Sequence, residues 1–328
     1  MFLLFNNKPQ IVDWYSIVGK KEGQGPLGKY FNKIEEDEYM SGSSHEFAER
    51  KMFESAIKGV LKTAKSADAV FAGDLLNQIV SSSFAMREIA LPFVGIYGAC
   101  SSMALTLIMA SMFVDGGYGD SAVACVGSHF ATAERQYRTP LEFGNQRTPT
   151  AQWTVTGAGA ALIKSRHNRS SSGKTAKNIF IKSATIGSVI DLGIKDVNNM
   201  GAAMAPAAIQ TIKEHLKKSN AKKNDYDAIF TGDLGLLGEE ILRDKLKLTT
   251  NYYDCGHLIY DDNQDSHMGG SGCGCSATVL NGFILNKLQS GEYKKILFIA
   301  TGALLSPTTS FQGETIPCIA HAVEIHAS

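Results

Sequence analysis

Residues 67–76, ADAVFAGDLL, recur almost unchanged at 226–235 as YDAIFTGDLG. Both stretches combine a short apolar run, typical of a buried strand, with a Gly-Asp-Leu turn. The residues that match in register are Asp68, Ala69, Gly73, Asp74 and Leu75, which return 159 positions later as Asp227, Ala228, Gly232, Asp233 and Leu234. The repeat therefore predicts a chain built from two related halves.

Two further pairs of segments support this duplication. Gly98-Ala-Cys-Ser-Ser102 and Gly272-Cys-Gly-Cys-Ser276 each lead into an apolar run, 174 positions apart, and the apolar strands 122–126 and 296–300 follow them. Solenoid repeats have periods of about 20 to 50 residues, so a repeat of this length indicates two halves of one architecture. We assign 1–170 to the first half and 175–328 to the second, with polar residues 167–177 as the hinge. The functional site is expected where the halves meet.

Composition excludes several classes of protein. The 328 residues include 32 basic and 32 acidic side chains, so no net charge indicates a nucleic-acid partner. The six cysteines show no disulfide framework. The apolar run at the start is too short for a signal peptide, and apolar stretches end after about ten residues, too few to span a bilayer. We expect a protein that is soluble or peripherally attached to a membrane.

Short apolar strands alternate with helical segments, which predicts an α/β fold with both sheet faces covered. Ser44 is expected to cap a helix that runs to about Lys65. Ser102–Met112 is apolar on nearly every side, which predicts a helix inside the core. In the second half, an extra loop over 188–204 is expected before a helix that begins at Pro206.

Cys100 lies at a predicted strand-to-helix junction. Backbone N–H groups and the positive end of a helix would lower the pKa of a thiol there and make it nucleophilic. The same N–H groups also bind carboxylates and phosphates. A small cysteine packed among glycines and serines is the other interpretation, and spacing alone leaves both open.

The second glycine-rich loop, 266–276, contains His267, which is either a base or cation of the site or a structural residue. An arginine-rich loop contains Arg135, Arg138 and Arg147, which either cap a pocket for an anionic ligand or are simply solvated. The Cys-x-His and Cys-x-Cys spacings at 255–257 and 273–275 do not match common zinc patterns, so no metal site is expected.

Several motifs resemble the thiolase superfamily, which includes thiolases and ketoacyl-carrier-protein synthases. They are GACSS at 98–102, TGAGAALI at 156–163 and GGSGCGCSA at 269–277. The resemblance implies a thiolase-like fold in which two duplicated αβα halves form a five-layered αβαβα architecture. It also places Cys100 at the nucleophile position, with two helix N-termini facing each other.

Longer motifs are similar to one family within this superfamily, the stage V sporulation protein AD family of spore-forming bacteria. The motifs are FAGDLLNQ at 71–78, DLGIKDVNNMGAAMAPAA at 191–208, YYDCGHLIYD at 252–261 and TGALLSPTTSFQGETIPCIAHAV at 301–323. The family resemblance implies binding of dipicolinic acid, alone or as its calcium chelate, and its movement into the developing spore. It also implies membrane-spanning partners from the same operon, a place at the forespore or spore inner membrane, a role in germination, and the homodimer usual in the superfamily.

The sequence departs from the enzymes at one important position. Active thiolase-type enzymes pair the cysteine with a histidine or asparagine after the first strand of the second half, where this chain offers Asp233. An aspartate raises the pKa of a neighbouring thiol. Because Asp233 repeats Asp74, a structural role in its turn is the preferred interpretation. The glycine-rich loop retains only His267 and is one residue shorter than the thiolase pattern GHPxGxSG.

We therefore predict a binding protein that is not an enzyme, with Cys100 as a vestigial nucleophile, no cofactor and no metal. An acyl transferase that uses Cys100 is the alternative. The predicted ligand-binding residues are Cys100, Ser101, Ser128, His129, Arg147, His267, Gly269, Gly270 and Ser271.

Overall fold

The computed structural model of the chain describes residues 1–137, 147–166 and 177–328. Its strands are β1 (Phe2–Leu4), β2 (Gln10–Gly19), β3 (Lys33–Glu35), β4 (Ala69–Gly73), β5 (Phe93–Gly95), β6 (Ser121–Ser128), β7 (Trp153–Thr154), β8 (Gly157–Lys164), β9 (Ile179–Ile186), β10 (Ala228–Thr231), β11 (Tyr252–Asp254), β12 (Gly270–Ser271), β13 (Lys295–Ala303) and β14 (Cys318–Ala327). Its helices are α1 (Lys20–Gly23), α2 (His45–Ala64), α3 (Val80–Ile89), α4 (Ser102–Asp115), α5 (Phe130–Tyr137), α6 (Met200–Ser219), α7 (Gly235–Leu246), α8 (Cys255–Ile259), α9 (Cys273–Val279), α10 (Leu285–Ser290) and α11 (Pro307–Phe311).

Counted inward from its two edges, the large sheet shows corresponding strands in the same order. From one edge the order is β5-β4-β6-β8-β2, and it continues as β9-β14-β13-β10-β11. At each end, three strands run parallel and a fourth pairs antiparallel with them, as β8 does with β6 and β14 with β13. The repeated sequences 67–76 and 226–235 thus lie in corresponding strands, β4 and β10.

The helices form three layers around these two groups of strands. Helices α2 and α3 cover one outer side, where α2 packs on β2 and β8, and α6 and α7 cover the other, where α6 packs on β13 and β14. Between the two groups of strands lie α4 and α9. The predicted α/β architecture with five layers is confirmed.

The central helix α4 is buried because its sequence is apolar on nearly every side. Met103, Leu107 and Ile108 are completely buried, and they belong to the same apolar cluster as Phe298 of β13. The predicted core helix is therefore confirmed. The predicted cap of α2 is confirmed as well, since the Ser44 hydroxyl accepts a hydrogen bond from the Phe47 N–H at 3.2 Å.

The prediction that Pro206 starts a helix was wrong. Helix α6 begins at Met200, and the side chain of Asn199 accepts a hydrogen bond from the Ala202 N–H at 3.4 Å. Pro206 lies inside the helix, so the predicted loop ends at 199. Asparagine is as good a cap as serine, and this signal precedes the proline by seven residues.

The boundary between the halves cannot be compared with the structure, because 167–176 of the predicted hinge lie outside the described residues. The division into 1–170 and 175–328 stays a prediction. Within the ranges that are described, no helix is long and apolar enough to cross a membrane.

Candidate functional site: a cavity beside Cys100

Cys100 lies in a tight turn that leads from β5 into α4. Ala99 has φ +50°, an uncommon value for a residue other than glycine. The hydroxyl of Ser101 donates to the Gly98 carbonyl at 2.5 Å, and that of Ser102 donates to the Ala99 carbonyl at 2.7 Å. These two serines stabilise the turn and fix Cys100 at the beginning of the central helix.

A narrow cavity opens beside Cys100, between the two halves of the fold. It offers about 40 Å³ to the centres of water molecules, room for about three of them. Its walls come from both halves and are mostly apolar. The lining residues are Leu75, Tyr97, Ala99, Cys100, Ala133, Glu134, Tyr137, Thr154, Met200, Ser271, Gly272, Ala303 and Leu305.

The cavity adjoins a larger and more open one of about 800 Å³. Tyr97, Tyr137 and Leu305 line both. The hydroxyl groups of Tyr97 and Tyr137 are 3.4 Å apart, and the Tyr137 hydroxyl also donates to the Leu75 carbonyl. The two tyrosines therefore stand between the outer cavity and Cys100.

Asp233 lies directly behind the cavity wall. Its carboxylate accepts hydrogen bonds from the Thr301 hydroxyl at 2.6 Å and from the Gly272 N–H at 3.1 Å, and it interacts with the Cys100 thiol. The side chain thus connects the Cys100 turn, the glycine-rich loop and the end of β13. The interpretation of Asp233 as a residue that holds its own turn was wrong.

The turn after β10 is held by Asp254 instead. This carboxylate accepts hydrogen bonds from the N–H groups of Leu234 and Gly235, each at 2.9 Å, and from the Thr231 hydroxyl at 2.6 Å. It also caps α8. Because Asp254 of the neighbouring strand β11 accepts these hydrogen bonds, the Asp233 carboxylate does not bind its own turn and instead contacts the residues around the cavity.

The environment of Cys100 favours the protonated thiol. Burial, and then the negative charge of Asp233, raise the pKa of Cys100 well above its usual range, although the Gly272 N–H lowers it. Of the two interpretations that the sequence left open for Cys100, this favours the small packed thiol over the activated nucleophile, because burial outweighs the backbone groups. Burial also raises the pKa of Asp233, to about 7, although the hydrogen bond from Thr301 lowers it.

Gly272 shows why this loop is rich in glycine. Its φ is +90°, and a Cβ atom there would lie 3.0 Å from Cγ2 of Thr154 and 3.1 Å from the hydroxyl of Ser128. Glycine removes both the backbone strain and the close contact. It lets the loop place its N–H beside Asp233.

Of the residues predicted to bind the ligand, Cys100 and Ser271 line the cavity. Ser101 and Ser128 hold the surrounding backbone: the Ser128 hydroxyl donates to the Val155 carbonyl at 2.7 Å and accepts from the Gly274 N–H at 3.0 Å. Gly269 and Gly270 belong to the same loop, but a Cβ atom on Gly270 would face Ile259, Val155 and Cys275.

The three predicted cationic side chains lie elsewhere. His129 lines a separate cavity, and burial lowers its pKa to about 4, which keeps the ring neutral. Arg147 donates to the Asp265 carboxylate at 2.8 Å, and His267 lies 3.1 Å from the same side chain. The structure does not bring these three residues to the cavity beside Cys100. Arg138, grouped with Arg147 in the sequence, is outside the described residues.

Sequence reasoning missed most of the cavity wall. Glu134 and Tyr137 lie on α5, in a stretch interpreted as a polar loop, where only helical spacing would have brought them together. Thr154 donates a hydrogen bond to Glu134 at 3.1 Å. Tyr97 directly precedes the GACSS motif, and that proximity was the one available signal. In the described ranges, no three His, Cys, Asp or Glu side chains are grouped as metal ligands.

The sequence pattern of the family described as stage V sporulation protein AD matches residues 2–326 of this chain. The chain belongs to the stage V sporulation protein AD family. Stage V sporulation protein AD of Bacillus subtilis (strain 168) is 46% identical over 314 residues, which cover 93% of this chain and 90% of that protein. This is a sporulation family, named for a developmental stage and not for a reaction.

Solved structures of thiolase-like enzymes share the fold of this family member. 3-Oxoacyl-[acyl-carrier-protein] synthase III from Aquifex aeolicus VF5 has a TM-score of 0.59 and 15% identity, with 97% of this chain and 99% of that chain covered. Human mitochondrial 3-ketoacyl-CoA thiolase has a TM-score of 0.61 and 12% identity, with 99% and 100% covered. At these identities the likeness shows the fold alone.

Proposed function

We propose that this protein binds dipicolinic acid, alone or as its calcium chelate, in the cavity beside Cys100. The observation that supports this most is the cavity itself: it lies between the two halves, behind two tyrosine rings, with Ser271, Thr154 and Glu134 among apolar walls. A flat aromatic ligand with polar substituents suits such walls. The protein then takes part in moving the ligand into the developing spore and in its release at germination.

The cavity is small, so the proposal requires side-chain movement. About 40 Å³ holds a few waters but not a pyridine ring with two carboxylates. Rotation of Tyr97 and Tyr137 would join the narrow cavity to the outer one of about 800 Å³. We propose that the ligand enters from that side.

We also propose that the site does not catalyse acyl transfer. Acyl transfer through cysteine requires a thiolate and a group that activates it. The raised pKa of Cys100 opposes the thiolate. No histidine is present among the described residues that line the cavity, and the carboxyl beside the thiol, Asp233, favours the neutral thiol.

Acyl transfer remains the second candidate because a cysteine at the start of the central helix is combined with a thiolase-like fold. The test is to mix the protein with acetyl-CoA and measure its intact mass. We expect no mass increase in the wild type. A gain of one acetyl group that is absent in Cys100→Ala would support the enzyme and contradict the proposal.

Binding is tested by isothermal titration calorimetry with dipicolinate on the wild type and two variants. Ala133 faces the cavity, whereas Ala131, two residues earlier on α5, lines the separate cavity near His129. Ala133→Leu fills the small cavity and is expected to weaken binding at least tenfold, about 1.4 kcal/mol. Ala131→Leu makes the same change on the same helix and should bind like the wild type. Absence of binding to the wild type would contradict the proposal.

Membership of a sporulation family supports a proposal about the setting of the protein. We propose a homodimer that acts at the forespore or spore inner membrane beside membrane-spanning proteins of the same operon. Strand β5 is an edge of the large sheet, and exposed Phe84 and Val94 lie on or close to it, which suits a contact between subunits. Light scattering on the wild type and Val94→Lys tests this: we expect a dimer that the lysine weakens, and a monomeric wild type would contradict it.

A further inference from the structure

We infer that binding of a dicarboxylate beside Cys100 is coupled to the uptake of one proton by Asp233, so that the site releases its ligand as the pH rises. The inference rests on the proposed function and adds a form of regulation to it. It makes Asp233 a residue that sets affinity without itself lining the cavity.

The first argument is the charge of the cavity wall. Among the described lining residues, no lysine, arginine or histidine is present, and Glu134 is the one side chain with a carboxyl group. These described residues therefore offer an anionic ligand no positive charge to offset its own. Removing nearby negative charge is then the available way to make the site accept a carboxylate.

The second argument is the position of Asp233. Asp233 is completely buried. It interacts with Cys100 and accepts a hydrogen bond from the Gly272 N–H, and both of these residues line the cavity. A ligand carboxylate beside Cys100 and Gly272 would approach this carboxyl in surroundings of low polarity, where like charges repel strongly. Protonation of Asp233 removes that repulsion.

The third argument concerns the groups that surround Asp233. The titratable side chains that face it or interact with it are Cys100, Cys273, Cys255, Cys275, Cys318 and Asp254. Burial raises the pKa of all five thiols, so they are neutral near neutral pH. None of these groups brings a positive charge.

Asp254 is the other acid in this group, and its circumstances are different. Burial raises its pKa to about 6, but the three donors from the end of β10 and the turn after it, and those of α8, support its charged form. Asp254 is the last residue of β11, and its hydrogen-bond donors are not among the described residues that line the cavity. Asp233, with a pKa of about 7, is present in both forms around neutral pH and is therefore the group that responds to the ligand.

The carboxyl groups of the ligand are ionised between pH 6 and pH 8. A change in its dissociation constant over this range therefore reports the titration of the protein. If the charged form of Asp233 does not bind, the dissociation constant rises about tenfold between pH 6 and pH 8. Proton uptake on binding is then about 0.5 at pH 7 and about 0.9 at pH 8, when the free site has its pKa near 7.

The experiment is calorimetry with dipicolinate at pH 6, 7 and 8, in pairs of buffers that differ in ionisation enthalpy, so that proton uptake is measured directly. The wild type is expected to show the uptake given above. Asp233→Asn, which is neutral at every pH, should show no uptake and an affinity that does not change from pH 6 to pH 8. Asp74→Asn is the matched control at the repeated position and should retain the wild-type pH dependence.

The neutral ligand pyridine-2,6-dicarboxamide provides a second test that needs no variant. Its binding to the wild type should not depend on pH. Dipicolinate binding without proton uptake, or an equal pH dependence for the diamide, would overturn the inference while leaving the proposed function intact. No dipicolinate binding at any of the three pH values would instead contradict the proposed function.

Discussion

Asp74 and Asp233 follow corresponding strands in the two halves, yet their carboxylates bind different parts of the fold. Asp74 accepts hydrogen bonds from the Leu76 N–H at 2.8 Å and from both the N–H and the hydroxyl of Ser82 at 2.7 Å. Asp233 instead accepts hydrogen bonds from the glycine-rich loop and from β13. The duplication therefore conserves the position of the acid while giving it a new role in the second half.

The stability of the protein should respond to Asp233. Its pKa is about 7 when folded and about 3.9 when the chain is unfolded, so the unfolded state releases this proton first as the pH rises. This group therefore lowers the free energy of unfolding between about pH 4 and pH 7, by on the order of 4 kcal/mol at most. In Asp233→Asn this decrease in the free energy of unfolding between about pH 4 and pH 7 should be absent. Urea unfolding of both proteins at pH 5 and pH 7.5 measures the difference.

The control for that experiment is Asp244→Asn. Asp244 is exposed, and its hydrogen bond with Lys247 lowers its pKa, which is the opposite direction. Its replacement should not reduce the loss of stability between pH 5 and pH 7.5. If the stability of Asp233→Asn depended on pH as that of the wild type does, the pKa of the Asp233 carboxyl would not be raised in the folded protein.

Thr301→Val should change ligand binding in a direction that simple loss of a contact would not produce. The Thr301 hydroxyl donates to Asp233 at 2.6 Å and lowers its pKa. Without this hydrogen bond Asp233 keeps its proton to higher pH, so dipicolinate should bind more tightly at pH 8 than it does to the wild type, while binding at pH 6 changes little. Stability should fall by about 1 kcal/mol. Calorimetry at both pH values decides, and equally weakened binding at both would contradict the coupling.

Gly272→Ala should destabilise the protein and weaken binding. The substitution forces alanine into φ +90° and brings its Cβ within 3.0 Å of Thr154, at a cost of roughly 1–3 kcal/mol. Gly117→Ala is the matched control, because Gly117 also has a positive φ, +73°, but nothing lies within 4 Å of a Cβ there. The control should lose less stability in thermal unfolding and bind dipicolinate normally. Equal losses of stability in the two variants would mean that the strained backbone conformation, and not the contact with Thr154, causes the effect.

Cys100 should react slowly with alkylating reagents. Burial and Asp233 keep its thiol protonated, so labelling by iodoacetamide at pH 7.5 should be roughly tenfold or more slower than that of free cysteine. Peptide mass spectrometry distinguishes Cys100 from the five other cysteines, which are also buried. Rapid and selective labelling of Cys100 would indicate an activated nucleophile.

The fold was predictable because its signals are local and repeated. Each of these signals depends on a few neighbouring residues: the strand patterns, the apolar helix after Ser102 and the GDL turns. Because they recur in the second half of the sequence, they predicted a duplicated architecture. The site was less predictable, because its walls come from distant segments that meet only in the folded protein. Cys100 and Ser271 were found through motifs, whereas Glu134 and Met200 belong to helices that the sequence reading had placed in loops.

The same reason explains the misplaced cations. Arg147 and His267 were expected at the ligand because each lies beside a predicted strand end on the face of the site, but both contact Asp265, just outside the glycine-rich loop. A charged side chain with an acidic neighbour is already satisfied at the surface. Sequence spacing does not show on which side of a loop such a pair lies.

The most direct test of the account is a crystal structure of the wild-type protein with dipicolinate. We predict that the ligand lies between Cys100 and Gly272, with the rings of Tyr97 and Tyr137 moved apart to admit it. A ligand bound at another surface, with the cavity beside Cys100 unchanged and the two tyrosine hydroxyls still in contact, would contradict the account.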